Sequence, residues 1–214
     1  VILPNVPEAL GHMTIATPMD MTGAWLERLN VAGVGLANNH AMDLGLSGLR
    51  ETTAALDAAG VEWFGQGDRL DLGGVTVVGL TDLDSNGPPY TDLVTDALLD
   101  RLIVADAGRP VVAFVHWGRE RVDAPSARET LLAEEMRLRG VSVIVGAHPH
   151  VADGALTALG GGETAMAYSL GNFLFDQSAE VASGALLEMR VFEQGTFFLR
   201  LVGLPNLFDL ARKR

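Results

Sequence analysis

The stretch Val141–His150, VSVIVGAHPH, decides how the rest of the chain is read. It opens on β-branched residues (Val141, Val143, Ile144, Val145) in a run too short for a helix, which predicts a strand buried on both faces. Gly146 ends the run, and His148-Pro149-His150 follows at once. A proline pushes the residue before it toward an extended conformation, and in an extended segment residues two apart point the same way. The two imidazoles are therefore expected to converge. Neutral imidazoles at the carboxyl end of a strand suit a divalent transition metal, while a pair of surface loop histidines is the plainer alternative.

Working outward, the same alternation of apolar runs and breakers recurs. Val1–Leu10 is a short apolar run broken by Pro4 and Pro7, the end of a strand and a turn. Ala16–Asn30 predicts an amphipathic helix with Met21, Trp25, Leu26 and Leu29 on its core face. Val31–Leu36 alternates with glycine, as a strand does where another backbone packs closely. A second helix, capped by Ser47 and closed by Gly60, leads to a short strand at Val61–Gly65. Leu70–Leu80 reads as a hairpin turning at Gly73-Gly74. Asp82–Thr91 is a loop, Asp92–Ala107 a helix, Val111–Val115 an apolar strand and Ser126–Arg139 a helix stopped by Gly140. Past His150 the pattern is mostly strands: Ala155–Leu159, Thr164–Tyr168, and a hairpin of Gly184–Phe192 with Thr196–Val202. Strand–helix alternation followed by strands predicts an α/β domain of two packed sheets with helices outside, an αββα sandwich spanning 1–214.

Composition narrows the function. The 214 residues carry a net charge of −12, and the sole Lys/Arg cluster is Arg212-Lys213-Arg214, which argues against a nucleic-acid surface. An anionic substrate would need local help against that field, from a cation for example. Without cysteine, neither disulfides nor thiolate ligands enter. The sequence shows no signal peptide and no run of about 18 apolar residues. It starts at Val1 without Met, so an upstream segment is expected.

Polar residues cluster just past the apolar runs: Asn38, Asn39 and His40 after one, His116 after another, His148 and His150 after a third. Ligands in α/β folds gather at such strand ends. Imidazole and carboxamide are neutral, so a dication here calls for a carboxylate, and Asp43, Glu120 and Asp176 are near in sequence. Each position also has a structural reading. His116 could be a core histidine, Asn38-Asn39 a tight turn held by side-chain bonds, Tyr168–Phe173 a packed strand and turn. Trp117 could equally cover the core or support a substrate. His12 reads as a surface residue.

Taken in order, Asn38-Asn39-His40-Ala41-Met42-Asp43 with Gly45, His116-Trp117-Gly118 with Glu120, Gly146-Ala147-His148-Pro149-His150, and Tyr168-Ser169-Leu170-Gly171-Asn172-Phe173 resemble the signature blocks of the CapA-like, poly-γ-glutamate capsule-synthesis family. That family is similar in fold to the calcineurin-like metallophosphoesterases. The resemblance implies a divalent metal (Mn, Zn, Fe, Mg or Ca) held by Asn39, His116, His148 and His150. It implies that His40 protonates a leaving oxygen, that Asp43 and Glu120 assist it by orienting the imidazoles, and that Asn38, Trp117, Tyr168, Ser169 and Asn172 line a substrate cleft. The implied setting is the cell envelope, with a small-molecule, peptide-like or polyglutamate substrate.

Two departures stand against a complete metal centre. No Gly-Asp precedes Asn38, and Asn5-Val6-Pro7-Glu8 is at best a remnant of a second motif, with Glu8 a weak ligand candidate. Ala147 stands where relatives carry a further histidine. Either the first strand lies outside these residues or the two-metal centre is incomplete. A metal-dependent hydrolase, non-hydrolytic acid–base chemistry such as peptide epimerisation, and a metal-depleted polymer-binding module all remain open.

Overall fold

A computed structural model describes residues 2–3, 14–83, 93–104, 108–173, 175 and 183–205. Asn5, Glu8, His12, Asp176 and most of the 82–91 loop lie outside them, so the expectations placed there have no structural counterpart.

The apolar run around Val141 becomes a central strand. In chain order the elements are β1 (Ile2–Leu3), β2 (Thr17–Pro18), α1 (Met19–Arg28), β3 (Gly33–Gly35), α2 (Gly45–Ala58), β4 (Glu62–Phe64), β5 (Arg69–Leu72), β6 (Val75–Thr81), α3 (Asp96–Leu102), β7 (Val111–His116), α4 (Ala127–Leu138), β8 (Val141–Ala147), β9 (Thr157–Leu159), β10 (Thr164–Ala167), β11 (Gly184–Val191) and β12 (Phe197–Leu204). Six strands form one sheet in the order β5-β6-β7-β8-β10-β9. Strands β6, β7, β8 and β10 run parallel, and β5 and β9 pair antiparallel at the two edges. A parallel ladder needs long crossovers, which α3 and α4 supply. β5 and β6 join through Gly73 and Gly74, at φ 53° and 89°, the positive values a two-residue hairpin turn demands.

Strand β7 explains how the layers divide. Val111, Ala113 and Val115 are buried on one face, together with Leu99, Leu102, Leu132, Met136, Val141 and Ile144 in the main core. Removing each such side chain from water is worth about 1.5–3 kcal/mol. The opposite face carries Phe114 and His116 and meets the β3–β4 ladder. Phe64 and Phe114 pack edge to face with centroids 6.2 Å apart. A Cβ on Gly35 would stand 3.2 Å from the Phe114 ring, so glycine is what lets β3 lie this close. The chain is thus a mixed α/β domain, with short ladders forming a layer over a six-stranded sheet that helices cover.

Helix boundaries show where local signals held. Ser126 caps α4 through a full capping box with Glu129. Ser47, expected to cap α2, sits inside its first turn and bonds back to the Leu44 carbonyl at 3.2 Å, and the cap position is Leu44. α3 is shorter than expected because Thr95 caps it, its hydroxyl accepting from Leu98 N at 3.2 Å. The stripe of α1 is a further correction. Met21, Trp25 and Leu29 are 51, 46 and 44% exposed, and Trp25 lies beneath the Arg28 guanidinium at 5.4 Å. Helical spacing establishes that an apolar face exists but not what covers it.

Candidate functional site

The registers of β6, β7 and β8 align their carboxyl ends. Thr81 is paired with His116, and His116 with Ala147, so His148 follows the residue opposite His116. This places the His116 and His148 rings 5.0 Å apart, with His150 6.2 Å from His148. The backbone route differs from the expected one. His148 and His150 take φ 95° and 62° and are not extended, so a turn brings the rings together and not the two-residue repeat of a strand. Such φ values are unfavourable for residues with a Cβ and persist where surrounding structure enforces them.

The loop after β3 approaches from the other layer. Asn38 Oδ1 accepts from His40 N at 2.9 Å, which winds the turn and spends that carbonyl on the backbone. His40 Nδ1 lies 2.9 Å from Asp43 Oδ2, and the same oxygen accepts from Ile15 N at 2.8 Å. Asn39 then bridges two imidazoles. Its Nδ2 is 3.4 Å from His40 Nε2, and its Oδ1 is 2.9 Å from His116 Nε2. Acceptor-only oxygens order the protons along this chain. The Asp43 carboxylate draws hydrogen to His40 Nδ1, so the neutral His40 ring accepts at Nε2 from the Asn39 amide. Asn39 Oδ1 in turn accepts from His116 Nε2–H.

Four of the cleft candidates are buried and bonded within the protein. Trp117 is fully buried and donates its indole N–H to the Tyr168 carbonyl at 3.0 Å. One position beyond His116, it belongs to the opposite face of the strand. Tyr168 is also buried, its hydroxyl 3.5 Å from Glu129 Oε2, and burial followed by the Glu129 charge pushes it up to about 12. Ser169 is fully buried and accepts from Gly171 N at 3.1 Å. Asn172 is 5% exposed and meets His150 instead of solvent, Oδ1 to Nδ1 at 2.6 Å. Glu120 lies exposed on the loop after β7, and its charge reaches His148 without a hydrogen bond to it among the described residues.

Sequence reading missed three supports. Phe175 stacks on the His150 ring, centroids 5.3 Å apart and planes within 14°. Asp153 Oδ2 accepts from Tyr168 N at 2.5 Å and anchors the turn behind the site. Asp82, just past β6, takes a two-pronged Arg128 guanidinium at 2.7 and 2.9 Å and also accepts from Val94 N. Asp82 was legible as a polar residue after an apolar strand, but it was read as loop.

Burial favours the neutral form of His116 and His148. His116 is held down to about 3 by burial first and then by the neighbouring His148, His150 and His40 rings. His148 is lowered mainly by burial, with the Glu120 charge opposing. Neutral nitrogens are the form that ligates metal. An ion held by Asn39 Oδ1 and His116 Nε2 would replace the 2.9 Å hydrogen bond between them. The fit is nevertheless partial. Among the described residues, no three His, Asp or Glu side chains gather as a metal-binding group, and Asp43 is committed to His40 and Ile15.

The sequence pattern of the family described as "Bacterial capsule synthesis protein PGA_cap" matches residues 7–78 and 82–177, and the chain belongs to that family. Capsule biosynthesis protein CapA of Bacillus anthracis is 32% identical over 195 residues, 80% of this chain and 47% of that protein. PGA biosynthesis protein CapA of Bacillus subtilis (strain 168) is 30% identical over 195 residues, 80% of this chain and 50% of its own length. The chain therefore spans about half the length of these curated relatives. In fold it is similar to a hypothetical protein from Thermus thermophilus (TM-score 0.54, 22% identity, 86% of this chain and 81% of that one). It is also similar to a 5'-nucleotidase precursor from the same organism (TM-score 0.55, 19% identity, 89% and 43%). These two likenesses are of fold, in keeping with the metallophosphoesterase-like arrangement expected from the motif blocks. No helix among the described residues is long and apolar enough to cross a membrane.

Proposed function

We propose that this domain serves capsule biosynthesis by acid–base chemistry on a peptide-like or poly-γ-glutamate chain, with His40 as the proton-transfer group. The observation that carries the reading is the ordered chain Asp43–His40–Asn39–His116, which holds one imidazole by a carboxylate at Nδ1 and leaves its Nε2 at the site. A ring held this way takes a proton at Nε2 as a base and returns it as an acid, while Asp43 fixes its orientation. The side chain is 28% exposed, open enough to meet a substrate.

Asn39, His116, His148 and His150 are the residues that would hold a divalent ion. Such an ion supplies a Lewis acid and a counter-charge for an anionic substrate that a −12 chain otherwise repels. Hydrolysis of an amide or phosphoester is the reading this favours. A second reading is proton transfer at carbon without hydrolysis, which an imidazole held by the Asp43 carboxylate would serve equally. The experiment assays the purified protein with Mn²⁺ or Zn²⁺ against γ-glutamyl oligomers and a chromogenic phosphoester, wild type beside His40→Ala. Cleavage or epimerisation lost in His40→Ala supports the reading. Turnover equal in the two proteins sinks it.

A further inference from the structure

We infer that Asn172 is a positioning residue for His150 and not a substrate contact: its carbonyl oxygen selects the His150 tautomer protonated at Nδ1 and so reserves Nε2 as the ring's lone-pair nitrogen. This deepens the proposed reading by assigning how one of its imidazoles is prepared. It rests on geometry that is independent of any ion.

Asn172 Oδ1 has only lone pairs to offer, and it lies 2.6 Å from His150 Nδ1. The hydrogen between them must come from the ring. A neutral imidazole carries one N–H, so Nε2 is left with its lone pair. Phe175, stacked at 14° on the same ring, covers one of its faces. The ring of His150 is thus held at one edge and on one face.

The backbone of Asn172 is itself stitched down. Its N–H bonds Ser183 O at 3.2 Å, and Ala185 N bonds Leu170 O at 2.7 Å, so the 170–172 segment is paired to the start of β11. Gly171 turns at φ 64°, and a Cβ there would meet Ser183 O at 2.7 Å. At Gly184 a Cβ would collide with the Asn172 carbonyl, so glycine is required for this close approach. At 5% exposure Asn172 offers little surface to a substrate. His150 and its anchor thus come from different stretches 22 residues apart, and β11 locks the anchor in place.

The test is a long-range ¹H–¹⁵N correlation spectrum of the metal-free protein near pH 8, which distinguishes the two imidazole tautomers. Wild-type His150 is expected as the Nδ1–H form. Asn172→Asp, which keeps an acceptor in place, should retain it, and Asn172→Leu, similar in size without an acceptor, should shift it toward Nε2–H. A wild-type His150 in the Nε2–H form, or an unchanged tautomer in Asn172→Leu, overturns the inference. The wild-type spectrum decides even if the leucine variant does not fold. A second readout is Zn²⁺ affinity by calorimetry. Loss of an anchor of this kind typically weakens binding about 10–100-fold, so Asn172→Leu should fall in that range and Asn172→Asp should stay near wild type. Wild type that binds no Zn²⁺ counts against the metal reading above, and the tautomer result stands by itself.

Discussion

Residues 38–43 (NNHAMD) and 168–175 (YSLGNFLF) hold like places in the sequence: each follows an apolar strand and mixes polar residues with apolar ones. In the folded chain they do different work. The first presents Asn39 and His40 toward His116, held by short-range bonds from Asn38 to His40 and from His40 to Asp43 and by the Ile15 N–H on Asp43. The second turns Tyr168 and Ser169 into the interior and sends Asn172 and Phe175 to the His150 imidazole. A polar residue at a strand end is therefore a candidate for chemistry, and the side of the sheet it falls on decides whether it is used.

The largest effect that tests this contrast is on turnover. Removing a positioned proton donor costs about 10²–10⁴-fold in rate, so His40→Ala should lose most activity while keeping its fold and any bound metal. His148→Ala should lose metal as well. Metal analysis beside kinetics separates the two, and release of metal by His40→Ala would make His40 a ligand. In the second region the expected loss is of stability. Trp117→Ala removes a fully buried ring and should cost about 3–5 kcal/mol, read from denaturant midpoints. A variant of wild-type stability with impaired turnover would return Trp117 to the cleft.

A pH series sharpens the comparison further. His116 titrates near its usual 6.5 in the unfolded chain but only near 3 when folded, because burial and then the other imidazoles oppose its charge. The unfolded state thus binds the extra proton between these values, and stability of the metal-free protein should be full above 6.5 and decline as pH falls toward 3. His116→Asn should flatten that slope, and an unchanged slope would refute the burial. The smallest effect is at Asn38. Asn38→Ala removes one side-chain bond to the His40 amide and should cost about 1 kcal/mol by thermal melting, with a matching loss of turnover if the turn positions His40.

How far the sequence could be read follows the same division. The apolar runs, the Gly73-Gly74 turn and the Ser126 capping box are local signals whose partners lie within a few residues, and they placed strands, hairpin and helix correctly. The glycines at 33 and 35 announced close packing before the Phe114 ring was seen to provide it. The motif blocks were legible too, and His116, His148 and His150 lie together at or just past the ends of two neighbouring strands. What lay beyond the sequence was facing. The parity of β7 sends His116 to one side and Trp117 to the other, and no spacing rule states which side is wet. The exposed stripe of α1 is the same lesson, since a helical period defines a face without defining its cover. The φ values of His148 and His150 and the grip of Asn172 on His150 depend on segments far apart in sequence, held together by strand register and the pairing at Gly184. Residue type and local periodicity determined the elements and the chemical inventory. Tertiary packing alone decided which of those groups meet, because a side chain's partner is set by the register of strands whose order the linear chain does not encode locally.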